Sequence, residues 1–291
     1  MRDYVIITDS SCDLPAKMAE DFGIPVLPLT VIMDDGKVFQ NHLDEREVTF
    51  RDFYQALRDG KMGKTSAVNV EQFMTEMDVH LKAGKDILYL GFSSGLSATF
   101  SSGKIAGEEL SPQYPEQKIY AVDTLCASAG QGMIVYLAAM EKQKGKSIEE
   151  VRDFVEATKL NISHCVVADD LNHLKRGGRI SAATAFVGGA LNIKPVINMD
   201  DEGKLISVDK IRGRKNIQKK LIAFIAEKNS ALEGEVLFLN HADCGDEANA
   251  VADAIRAEFP VKDVIVNFIG PVIGAHTGPG AMVLCFKSNG R

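Results

Sequence analysis

Three short polar stretches hold most of the side chains that could do chemistry. The first is Gly91-Phe92-Ser93-Ser94-Gly95-Leu96-Ser97-Ala98-Thr99, a hydroxyl-rich run that follows the apolar segment Ile87 to Leu90. The second is Thr65-Ser66. The third is Gly274-Ala275-His276-Thr277-Gly278-Pro279-Gly280, where the His stands in a glycine-rich turn rather than on an apolar face. Hydroxyls at the entrance to a helix cap its free N–H groups, or join those groups in holding an anion near the positive end of the helix dipole. A His in such a turn suits a donor to an acid or a proton carrier. The same residues also spell G-x-S-x-G from Gly91 to Gly95, with His276 far downstream, which is the pattern of a Ser hydrolase with Ser93 as nucleophile. Against that alternative, no HGGG-type oxyanion segment is present and Ser93 has no assignable acid partner.

Two basic clusters stand out in a chain of 291 residues whose net charge is -7. One is Lys175-Arg176-Gly177-Gly178-Arg179, the other Arg212-Gly213-Arg214-Lys215. The first suits a solvated helix end and the second ordinary surface charge, and both would also suit an acidic partner or phosphate groups. The acidic balance excludes a general nucleic-acid binder. The five cysteines are scattered without a CxxC pair, so neither a disulfide framework nor a zinc site is expected. His241-Ala242-Asp243-Cys244 has no second ligand cluster to make it a metal site. Asp9, at the end of the first strand, invites comparison with aspartyl-phosphate enzymes, but Ser11 replaces the second Asp of such motifs, and strand-ending and capping roles explain these groups better. No GxxxxGK[ST] cradle is present, so no nucleotide cofactor is expected.

The elements that must position these residues alternate. Tyr4 to Thr8, Pro25 to Met33, Ile87 to Phe92 and Ile119 to Val122 read as strands; Thr49, Asn69 and Ser147 each open a helix with a capping pattern, and a helix from the Ser-rich run to Leu110 is expected. Lys64-Thr65-Ser66 reads as a polar turn. Alternation predicts a mostly parallel sheet with helices on both faces and a ligand crevice beyond the strand C-termini, where Asp9, Ser93 and Asp123 fall. After residue 160 come a strand at Ser163 to Ala168, a small-residue helix carrying Phe186, Val187 and Leu191, and a hairpin from Ile193 to Ile211. Strands at Glu235 to Asn240 and Val264 to Ile269, with a helix from Asp246 to Glu258, complete this part. The length predicts two α/β domains, 1–160 and 161–291. The opening lacks a basic and apolar leader and no run approaches a membrane span, so a cytoplasmic protein without membrane insertion is expected.

The motifs DSSCDLP, TSAVNVEQF, GFSSGLSATFSS, KRGGRIS and GAHTGPGA occur in that order over essentially the whole chain, and together they resemble the bacterial DegV family. The resemblance implies a protein of two α/β domains with the ligand at or near their junction. It implies a long-chain fatty acid as ligand, its acyl chain buried and its carboxylate held by hydroxyls and a histidine. On this sequence that set is Thr65, Ser66, Ser94 and Ser97, with His276 and Thr277. It further implies a partner, the ATP-dependent catalytic subunit of a fatty acid kinase, facing Arg176, Arg179, Arg212 and Arg214, so that this chain is a substrate-presenting subunit rather than an enzyme. A lipid carrier without a kinase partner shares every pocket residue. The chain departs from the family at Ala67-Val68-Asn69, where Gln-Pro-Ser is common, and at Ala98-Thr99-Phe100, where Gly-Thr-Tyr is common. The hydroxyls survive both changes, and pocket shape is what they alter.

Overall fold

The structure, a computed structural model, describes residues 2–180, 193–228 and 232–291; the expected helix with Phe186, Val187 and Leu191 lies outside them. Strand β1 (Tyr4–Asp9), β2 (Val26–Leu27), β6 (Asp86–Gly91) and β7 (Ile119–Asp123) form a parallel sheet in the order β2-β1-β6-β7. All six residues of β6 are buried, as a central parallel strand covered on both faces must be. The coverings are α3 (Val70–Lys82) with α4 (Thr99–Leu110), and α5 (Ala129–Gln143) with α6 (Ile148–Thr158). Capping follows the sequence: Asn69 opens α3 and Ser147 opens α6, each in a reciprocal capping box with Gln72 or Glu150.

The apolar run from Pro25 to Met33 is divided. Its start joins the parallel sheet as β2, and its end, β3 (Thr30–Met33), pairs antiparallel with β4 (Val38–Gln40) and β5 (Gly63–Ser66). Pro28 lies at the break, where a missing N–H cannot serve a ladder. Thr65 and Ser66 therefore lie on a strand and not in the turn expected for them, because residues 63–66 find ladder partners on β3 that are distant in sequence. Helix α4 likewise starts at Thr99, after the hydroxyl-rich residues have made a loop, and α1 (Ala16–Asp21) and α2 (Phe50–Arg58) complete this half.

The second large sheet is mixed and six-stranded. Its order is β10 (Leu205–Arg212), β9 (Ile193–Met199), β8 (Ile162–Val167), β13 (Met282–Lys287), β11 (Val236–His241) and β12 (Asp263–Phe268). All of its strands follow residue 160, and all strands of the other two sheets precede it. One face is covered by α8 (Ile217–Glu227) and α9 (Gly245–Glu258) around a core of its own that includes Leu221, Phe224, Ile255 and Phe286. The other face meets α5, which also touches β1 and β6. Helix α5 is thus a shared middle layer, and its first seven residues, Ala129 to Val135, are all buried, as expected for a helix without a solvent face. Among the described residues no helix is long and apolar enough to cross a membrane.

Helix α10 (Pro271–Thr277) is where the structure departs most from the expected glycine-rich turn. Pro271 stands at its first position, where a missing N–H is harmless, and His276 lies in its last turn. Although it follows β12, α10 packs on α2, β3 and β5, and on α7 (Asn172–Arg176). That excursion carries His276 to Thr65.

Candidate functional site

The Thr65 hydroxyl and His276 Nε2 are 2.8 Å apart, across 211 residues of sequence. Strand alternation sets which hydroxyl reaches the histidine: Gly63 and Thr65 are half-buried, while Lys64 and Ser66 are exposed. Gly177, of the KRGGR segment, lies on the other side of the imidazole, where a Cβ would come within 2.3 Å of His276 Nδ1. A side chain at 177 would displace the ring. Burial, followed by the positive charge of Arg179 and the proximity of His173, lowers the His276 pKa to about 4, so the imidazole is neutral near pH 7.

Behind this pair runs an apolar slot. Leu29, Phe92, Leu174, Met199, Ile273 and Val283 are among its walls, and Thr65, Ser97, Arg179, His276 and Thr277 also line it. The empty space amounts to about 690 Å3, counting its open mouth, and its bore is narrow. On the outer side, Thr65, Arg179 and His276 also border a second cleft, lined by Lys64, His173, Arg176 and Asp34. These three residues therefore stand at the boundary between an apolar interior and an outer cleft that mixes apolar side chains, Ile32, Met33 and Met62, with the cations Lys64 and Arg176.

Arg179 is half-buried. Its guanidinium donates to the carbonyls of Leu96, at 3.2 Å, and Gly177, and burial presses its pKa below the ordinary value. No carboxylate of the described residues forms an ion pair with it. A desolvated cation whose partners among the described residues are carbonyls is a favourable place for an incoming anion. Ser97, in the loop before α4, has its hydroxyl 2.9 Å from that of Thr99 and accepts the Thr99 N–H at 3.2 Å, which satisfies one of the free donors at the start of that helix.

The remaining expected site residues are spread out. Ser66 and Ser94 are exposed and do not line the slot. The Ser94 N–H instead faces both carboxylate oxygens of Asp123 at 3.3 Å. Thr277 is buried and donates to Ile273 O at 3.3 Å. Arg176 and Arg212 are exposed, but Arg214 is engaged within the chain, with Asp169 at 2.7 Å and Glu247 at 2.8 Å. Among the described residues Ser93 and His276 do not form a hydrolase pair: Ser93 is fully buried and donates to Gly203 O at 2.7 Å, while His276 is bonded to Thr65. Asp9 is spent on strand-end contacts, accepting from Phe92 N at 3.0 Å and Ser11 N at 3.1 Å.

Known proteins resemble the chain over nearly its whole length. The profile of the family described as "Uncharacterised protein, DegV family" matches residues 3–289, and a DegV domain-containing protein of Clostridium perfringens is 42% identical over 286 residues, 98% of each chain. The chain belongs to the DegV family. Among solved members, a DegV lipid-binding protein of Thermotoga maritima superposes with a TM-score of 0.86 at 28% identity, covering 99% of both chains. A DegV protein of Thermus thermophilus described by its fatty acid binding gives 0.86 at 30%, over 99% of this chain and 100% of that one. Bacillus subtilis DegV, described as a fatty acid binding protein, gives 0.86 at 26%, with the same coverage.

Several slot residues of this DegV chain went unmarked in the sequence. Leu29, Met199, Val283 and Ile273 read as ordinary core, since strand and helix patterns report burial without saying whether the neighbour is protein or ligand. Ser11, Ser128 and His164 also border the slot; burial drives the His164 pKa down to about 3, so it too is neutral.

Proposed function

We propose that this chain binds a long-chain fatty acid, with the acyl chain in the slot and the carboxylate at its mouth between Thr65, Ser97, His276 and Arg179. The observation that carries the reading is a narrow apolar slot that ends at a neutral His–Thr pair and a half-buried arginine lacking a carboxylate partner among the described residues. Burying a methylene contributes about 0.8 kcal/mol, so a chain of roughly sixteen carbons supplies most of the affinity. The mouth fixes orientation. Desolvating a carboxylate is unfavourable unless donors converge on it, and hydroxyls together with a guanidinium do so. The fatty acid and lipid binding described for the solved relatives supports the same assignment.

The same reading makes the chain a carrier that presents its ligand. The carboxylate end borders the outer cleft lined by Lys64 and Arg176, a place from which a separate ATP-dependent kinase subunit could reach it to form an acyl phosphate. The division into domains 1–160 and 161–291 belongs to this reading, with the slot at their junction.

Mass spectrometry of the organic extract of gently purified protein tests it, beside a Thr65→Val, His276→Ala double variant. Near-stoichiometric fatty acid in the wild type and depletion in the variant are expected. A wild type that carries no lipid and takes up none from added palmitate would sink the reading. For the partner, capture of an ATP-binding protein on immobilised wild type, lost on Arg176→Glu while lipid is retained, separates a kinase subunit from a simple carrier.

A further inference from the structure

The GFSSG loop, the hydrolase-like motif, meets the Asp200–Gly203 turn, which joins β9 to β10. The Ser93 hydroxyl donates to Gly203 O at 2.7 Å and accepts the Gly95 N–H at 3.2 Å. The approach is so close that neither glycine can be replaced without a shift. A Cβ on Gly95 would lie 2.8 Å from the carbonyl oxygens of both Glu202 and Gly203; one on Gly203, whose φ is +73°, would lie 2.1 Å from Ser93 Oγ. A third segment holds the same turn, since the Arg291 guanidinium donates to Asp200 O and also to the carbonyls of Leu125 and Lys159. Residues on both sides of the contact border the slot: Phe92, Leu96 and Ser97 flank the loop, and Met199 and Leu205 flank the turn.

The geometry points to Ser93 as a positioning residue for the acyl ligand, its hydroxyl pinning the 200–203 turn so that the Met199 and Leu205 wall stays at a fixed distance from the loop that carries Ser97. This rests on the fatty-acid reading of the slot and adds to it a determinant of chain selectivity and retention. A narrow slot discriminates among acyl chains only while its walls keep their spacing, because contact attraction falls steeply with a gap of half an ångström. Ser93 touches neither carboxylate nor acyl chain and acts through the turn.

Stopped-flow release of myristate, palmitate and stearate, with a fluorescent fatty acid as competitor, tests the proposal in wild type and Ser93→Ala. Release from Ser93→Ala is expected to be about tenfold faster, the scale of one lost hydrogen bond that holds the turn behind the Met199 and Leu205 wall, and the affinity differences among the three acids should shrink. A purely structural role would lower the melting temperature and leave the ranking and spacing of the three acids untouched. If Ser93→Ala does not fold, Asp200→Ala decides, because it loosens the turn from within by removing the acceptor of the Glu202 and Lys204 N–H groups at 3.0 and 2.8 Å. Folded variants with wild-type release and selectivity overturn the inference alone. A wild type that binds none of the three acids overturns the fatty-acid reading, and this inference with it.

Discussion

At the scale of single residues, the mouth of the slot depends on one hydroxyl and one neutral imidazole. Thr65→Val keeps the shape of the side chain and removes the donor. It should weaken fatty-acid binding by about 2 kcal/mol, roughly thirtyfold, as for loss of a hydrogen bond to a charged group, with little change in melting temperature; competition with a fluorescent fatty acid measures it. The histidine leaves a signature in acid. Its folded pKa of about 4 lies below the ordinary 6.5, so below pH 6.5 the unfolded chain takes up a proton that the folded chain refuses. Stability attributable to His276 is therefore present above pH 6.5 and lost as pH falls towards 4, by up to about 1.4 kcal/mol per pH unit. His276→Gln should show a shallower decline in unfolding free energy across that window. Asp13, raised to about 7 by burial, acts with the opposite sign in both proteins and cancels from the comparison.

At the scale of elements, two glycine and capping positions make opposite points. Gly103 sits within α4, where helix propensity favours Ala by about 1 kcal/mol. A Cβ there would lie 2.4 Å from the Tyr89 ring, which is fully buried and packed between Phe73 and Phe100. Gly103→Ala should therefore destabilise by about 1–3 kcal/mol through overpacking, read as a lower urea midpoint. Asn69→Ala removes the cap of α3, the side-chain oxygen that accepts the Gln72 N–H at 2.9 Å. A loss of about 1 kcal/mol is expected, with fatty-acid affinity unchanged because α3 contributes no residue to the slot. Comparing the two with Thr65→Val separates fold from function.

For the whole molecule, the slot draws walls from the six-stranded sheet, from β5, from the loops that follow β1 and β6 and from α10, so a bound acid would tie both halves together. Palmitate at about 100 times its dissociation constant should stabilise by about 2.7 kcal/mol and raise a single thermal transition; calorimetry showing only one of two separate transitions shifted would contradict a shared slot. The sequence determined a good deal of this by itself. The strand-helix alternation, the capping boxes at Asn69 and Ser147 and the ordered motifs are local signals, set by hydrophobic period and backbone donors, and they carried the fold class and the family. Thr65, Ser97 and His276, which the fold places on the slot, were legible as candidates for the same reason, since their polar types stand out against glycine-rich or strand-end surroundings. Only tertiary structure decided the rest. Strand pairing placed Ser66 on the exposed side of β5, because alternate residues point to opposite faces of a sheet. The long excursion to α10 brought His276 to Thr65, Arg214 was claimed by Asp169 and Glu247, and Ser93 was turned from an apparent nucleophile to a contact between two turns. Each of these depends on contacts between residues far apart in the chain, and local periodicity carries no record of which distant group will occupy the remaining space.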